Sequence, residues 1–160
     1  MYEFIQWLHL AAGIVWLGDM TLLLWAVRPA AIALLPPPLR LPLLQRVLAR
    51  FFVLVWLAIA VLLASGGWMF ASADAQLAPR GWHAMAGLGT LMCLVFAHLY
   101  FAPFRRLSRA VASEDWPAAA AALGQIHPLV LTNFALGWAA VLAVQLCMHL
   151  PIQKPVKFVK

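Results

Sequence analysis

The chain has 160 residues, 66% of them hydrophobic and 10% charged, with a mean hydropathy of +0.92. Soluble domains carry about a quarter charged residues, so this balance excludes a water-soluble globular fold. The net charge of +6 does not signal nucleic acid binding, because the basic residues stand between apolar stretches and do not line one face of a folded domain.

Four stretches, about 4–27, 51–73, 81–104 and 126–150, are long and apolar enough to cross the roughly 30 Å hydrocarbon core as helices of about 20 residues. They form one transmembrane domain over 1–150, and 151–160 is a polar basic tail. The first stretch lacks the short core and small-residue cleavage site of a signal peptide and reads as a retained helix. In the first connection, Pro36, Pro37, Pro38 and Pro42 are expected to stop the helix and leave a loop at the inner surface. In the third, Asp115 suits a helix cap, with Pro117 in the first turn and Ala118 to Ala122 behind it. A short helix leading into the fourth span is expected there. Pro128 marks a kink near the start of that span.

Lipid leaves no water for unpaired backbone groups, and no alternating ten-residue pattern suggests a barrel. The fold expected is all-α, an antiparallel four-transmembrane-helix bundle. Arg28, Arg40, Arg46 and Arg50 occupy the first connection and Arg105, Arg106 and Arg109 the third, against Arg80 alone in the second. The positive-inside rule then places both termini outside, and Lys154, Lys157 and Lys160 in the tail are outweighed. Trp7, Trp25, Trp68, Trp82 and Tyr100 fall near span ends, as an interfacial belt requires. Trp16, Trp56 and Trp138 lie deeper and read as packing or lipid-facing residues. Cys93 and Cys147, in different spans, read as small buried residues with no disulfide between them.

The five histidines sort by depth. His9, His83 and His149 share the outer half, whereas His98 and His127 fall near the inner ends of spans three and four. His83 and His98 are separated by about 22 Å at 1.5 Å per residue, so one ion cannot take both. The pair at matching depth is His9 and His83. Each is followed four residues later by a glycine, Gly13 and Gly87, on the same helix face. A glycine beneath an imidazole leaves a groove in which a porphyrin could lie, and haem iron takes axial histidine. Close helix packing without any cofactor explains the same glycines.

The outer half also holds Met69, Met85, Met148 and Cys147, and thioether, thiolate and imidazole ligands suit Cu(I). Copper ligands drawn from His9, His83, Met85, His149 and Met148 are the second reading, beside methionine as simple core filling. Asp19 is the one carboxylate well inside a span. It reads either as a proton or ion relay or as a group satisfied by Thr132, Asn133 or Arg50.

The opening WLHLAAGIVWLG, with histidine seven residues before tryptophan and glycine two after it, resembles the first helix of the copper-resistance CopD-like membrane family. RPAAIALLPPPLRLP, RFFVLVWLAIAVLLASG, HLYFAPFRRLSRAVASEDWPAAAAAL and LTNFALG are similar to corresponding stretches of its short single-bundle members. The first helix is also similar to that of HemJ-type, haem-associated membrane proteins, whose third helix carries a lysine that 82–101 lacks. These resemblances imply a multi-pass protein of the bacterial inner membrane with His9 as the ligand-bearing position and haem or copper as cargo. Larger relatives in the copper family move copper across the membrane, which for a chain of this size implies a homo-oligomer.

The function expected first is therefore a haem b protein, its iron between His9 and His83. It would pass electrons between a quinone and a periplasmic redox partner. Copper binding or transport, with a periplasmic copper protein as partner, stands second. A cofactor-free structural or assembly subunit stands third.

Overall fold

A computed structural model describes residues 1–72 and 80–149; the basic tail and residues 73–79 lie outside it. The described chain is helical, with no strand. Span one comprises α1 (Tyr2–Leu22), a π-helical turn over Leu23–Val27 and α2 (Arg28–Leu34). Span two is α3 (Pro37–Ser72). Span three runs through α4 (Arg80–Leu99), a second π-helical turn over Tyr100–Phe104 and α5 (Arg105–Ala112), and span four is α6 (Trp116–His149). Both π-turns sit at a proline, Pro29 two residues after the first and Pro103 within the second. The proline ring crowds the carbonyl four residues earlier, and a wider turn relieves that crowding.

The apolar membrane-crossing parts, Tyr2–Leu34, Pro37–Ser72, Gly81–Ala112 and Trp116–Leu146, run 33, 36, 32 and 31 residues, roughly 46–54 Å at 1.5 Å per residue, well beyond a 30 Å core. The excess falls at the arginine end. There the proline-rich stretch is helix and not the expected loop, so only Leu35 and Pro36 separate the first two spans. Pro37 takes the first helical position, where its missing N–H is not needed. Leu41, Leu44 and Leu48 recur at helical spacing and are fully buried, with Leu107 and Ala119 buried at the same end. Burial of that apolar stripe holds the helix past Pro42. The fourth span likewise has no separate preceding helix, because α6 passes through Pro128 without a break.

The third connection is three residues long. Glu114 adopts φ 55°, the left-handed conformation that ends many helices. Its amide and that of Asp115 return to the carbonyls of Val111 (3.2 Å) and Ala110 (2.9 Å), closing the last turn of α5. Asp115 caps the next helix as expected: its Oδ1 accepts from the Ala118 amide at 3.0 Å. Asp115→Ala should lower stability by about 1 kcal/mol in a mixed-micelle denaturation, and an unmoved midpoint would show the cap to be dispensable.

Spans one and two pack along their lengths, as do spans three and four, and α6 also meets α1 and α3, whereas α1 and α4 do not run side by side. Their link is through side chains at the bundle centre. Phe96 is 1% exposed and lies edge-on to Trp16, Phe51 and Trp56 and tilted against Phe52, at ring separations of 5.2–6.2 Å. Gly137 makes room for this crossing, since an added Cβ would stand 2.6 Å from Leu17 Cδ2 and 3.1 Å from Met92 Cε. Tyr100, assigned to the interfacial belt by its place in the sequence, instead packs against Phe52, Trp56 and Phe104. Trp7, Trp25, Trp56 and Trp138 are exposed and Trp16 is buried.

Candidate functional site

His9 sits two turns into α1, half-buried, facing α3. Its Nδ1 lies 2.9 Å from Ser65 Oγ. Ser65 is 6% exposed and donates its one hydroxyl proton back along its own helix, to the Val61 carbonyl at 2.6 Å, with Leu62 at 3.3 Å. A hydroxyl whose proton is committed can only accept from a neighbour. In the neutral imidazole Nδ1 is then the protonated nitrogen, which leaves the lone pair on Nε2. The next residue, Gly66, completes the seat: an added Cβ there would meet His9 Cε1 at 3.3 Å, so glycine lets the imidazole lie against the helix. Met69 follows Ser65 by one turn on the same face of α3 and is half-buried.

His83 is placed differently. It is exposed near the start of α4 and lies edge-on to Phe70 at 5.6 Å. Phe70 is one turn beyond Gly66, so the two histidines rest on successive turns of span two. Their helices are not neighbours along their lengths. An added Cβ at Gly13 or Gly87 meets nothing within 4 Å, so neither glycine is required by a packed neighbour, and Gly87 is exposed. The glycine under His9 is Gly66, contributed by another helix. An iron held between His9 and His83 therefore draws no support from the geometry, nor does the electron-transfer reading, with its quinone and periplasmic acceptor.

His83 and Met85 stand two residues apart on one helix and point to different faces. They cannot both turn toward one ion. The side chains of Cys147, Met148 and His149 lie outside the described residues. Among the described residues no three of histidine, cysteine, aspartate and glutamate cluster as a metal site.

Asp19 is half-buried, and its Oδ2 is enclosed without a hydrogen-bond partner among the described residues. None of its expected partners bonds to it: Thr132 and Arg50 are exposed, and Asn133, 2% exposed, has its own Oδ1 unpartnered. At the arginine end His98 is exposed. His127 is half-buried and shares with Arg28 a cavity of about 20 Å³, room for about one water.

The sequence reasoning singled out His9 but missed Ser65 and Gly66. The signal was present: Ser65 is the one hydroxyl in the run from Phe51 to Gly66, and two glycines follow it.

The sequence profile of copper resistance protein D matches residues 45–147, more than half of the chain. The chain belongs to the CopD family. No curated protein and no solved structure gives a match. The CopD match takes in most of span two, all of span three and most of span four, including Ser65, Gly66, Met69 and His83, while His9 and Asp19 precede it. The CopD chain is accordingly a multi-pass membrane protein of a copper-resistance family, surrounded by lipid on its exposed apolar faces.

Proposed function

We propose that the chain handles Cu(I) at the end of the bundle opposite the arginines, with His9 Nε2 as the ligand that first meets the ion and Met69 as a thioether partner. The carrying observation is the committed hydroxyl of Ser65. A histidine that binds metal usually donates its other N–H to a fixed acceptor, which sets the tautomer and aims the free nitrogen. Imidazole with thioether is a soft donor set that suits Cu(I) better than harder ions.

Membership of the CopD family supports copper as the cargo. The arginine distribution supports a cytoplasmic arginine end in a bacterial inner membrane, which puts His9 and both termini on the outer side. The aromatic cluster around Phe96 fills the bundle centre, so a route through the membrane would run between copies in a homo-oligomer. A periplasmic copper protein is the natural donor or acceptor.

The test is competition of the purified chain in detergent against a chromophoric Cu(I) chelator. The wild type should bind Cu(I), and Ser65→Ala should weaken it by about 10- to 100-fold, the usual effect of losing an orienting hydrogen bond. Nitrogen NMR of His9 should show the Nδ1–H tautomer in the wild type and a mixture in the variant. Equal affinities with an unchanged tautomer would remove the basis of the proposal.

A further inference from the structure

Seven arginines gather at one end of the bundle, yet among the described residues only two acidic ones, Glu114 and Asp115, belong to that end, and Asp115 is engaged as a helix cap. Three of the arginines have protein partners. Arg105 stands over the Phe101 ring at 5.7 Å. Arg106 donates to Gln125 at 3.3 Å and Arg109 to the Arg105 carbonyl at 3.4 Å. Arg46 and Arg50 are exposed, and no acceptor among the described residues engages them.

These two stand four residues apart on α3, on one face. They line an open groove with Leu43, Gln45, Val47 and Ala49. Gln45 also donates to Ser108 at 3.3 Å, tying span two to α5 beside the groove. The apolar run of span two begins directly after Arg50, at Phe51, so Arg50 stands at headgroup level and Arg46 about 6 Å farther from the hydrocarbon. Leu43 and Val47 offer apolar surface next to the guanidiniums. Two free guanidiniums one turn apart match a phosphodiester, which takes paired N–H donors well.

We propose that the Arg46–Arg50 groove is a binding site for the headgroup of an anionic phospholipid of the inner leaflet. The guanidiniums bind the phosphate, and the acyl chains run on along the apolar stretch that begins directly after Arg50. Charge complementarity selects this occupant, because a zwitterionic lipid presents the same phosphate without net charge. Each basic residue near a membrane surface favours anionic lipid by about fivefold, so the pair should give a preference of roughly 20- to 30-fold.

The full chain in detergent is titrated with dioleoyl phosphatidylglycerol or dioleoyl phosphatidylcholine, and retained lipid is read by native mass spectrometry. Phosphatidylglycerol should be retained with the stated preference, which the double variant Arg46→Gln with Arg50→Gln should abolish and Arg109→Gln should leave intact. The double lysine variant keeps the charge and should retain part of the preference, so a glutamine variant that fails to fold does not end the test. Added salt should weaken the wild-type preference. Equal retention of the two lipids, a preference that survives the double glutamine variant, or full displacement by millimolar inorganic phosphate would overturn the proposal, the last by showing a site for a free anion.

Discussion

Exchange of His9 for alanine should lower Cu(I) affinity by more than about 100-fold, the largest effect expected of any single substitution in this chain. Losing a group that only orients a ligand costs about 10- to 100-fold, and losing the ligand must exceed that. His83→Ala should change affinity by no more than a few fold, since His83 is exposed on α4 and packs against Phe70. The contrast between the two variants is the discriminating result. Equal losses would restore the paired-histidine site expected from the sequence, and a wild-type affinity in His9→Ala would place the ion elsewhere. Circular dichroism separates either outcome from misfolding, because neither substitution removes a helix-forming contact of the bundle core.

Phe96→Ala should destabilise the bundle by about 2–4 kcal/mol. In a water-soluble core the same change costs about 3–5 kcal/mol, part of it transfer of the ring out of water. Within lipid that part shrinks, because the ring passes into hydrocarbon in the separated state as well. What remains is the lost packing: Phe96 touches aromatic rings from span one (Trp16) and span two (Phe51, Phe52 and Trp56). Among the described residues no other joins the two hairpins through as many rings. Unfolding in mixed micelles of rising denaturing detergent reads the change directly. A shift under about 0.5 kcal/mol, the size seen for ordinary surface substitutions, would mean that the hairpins do not depend on the cluster for their association.

The four-span architecture was legible before any coordinates from composition, and the CopD family from the resemblance carried by stretches such as WLHLAAGIVWLG and RPAAIALLPPPLRLP. A span announces itself by composition alone, because lipid demands a long apolar stretch, and 51–73 is such a stretch whatever it packs against. The cap at Asp115 was legible as well, since a cap and the amide it serves are three residues apart. The helical stretch from Pro37 was not. Proline rules describe the local backbone, whereas that helix persists because Leu41, Leu44 and Leu48 are buried by partners from other spans.

The amino-acid order by itself determined that four helices are long and apolar enough to cross a membrane, which connections carry the arginines and how far apart along a helix the histidines lie, because these depend on position along a helix of known rise. Only the tertiary structure decided which helix each histidine faces. Depth pairs His9 with His83, but the imidazole turns about the helix axis toward Ser65 and Gly66, fifty-six and fifty-seven residues away. Rotation of one helix against its neighbours is set by which side chains fit between them, and Gly66 on α3 gives the His9 imidazole its seat, whereas no neighbour packs within 4 Å of a Cβ built at Gly13 or Gly87.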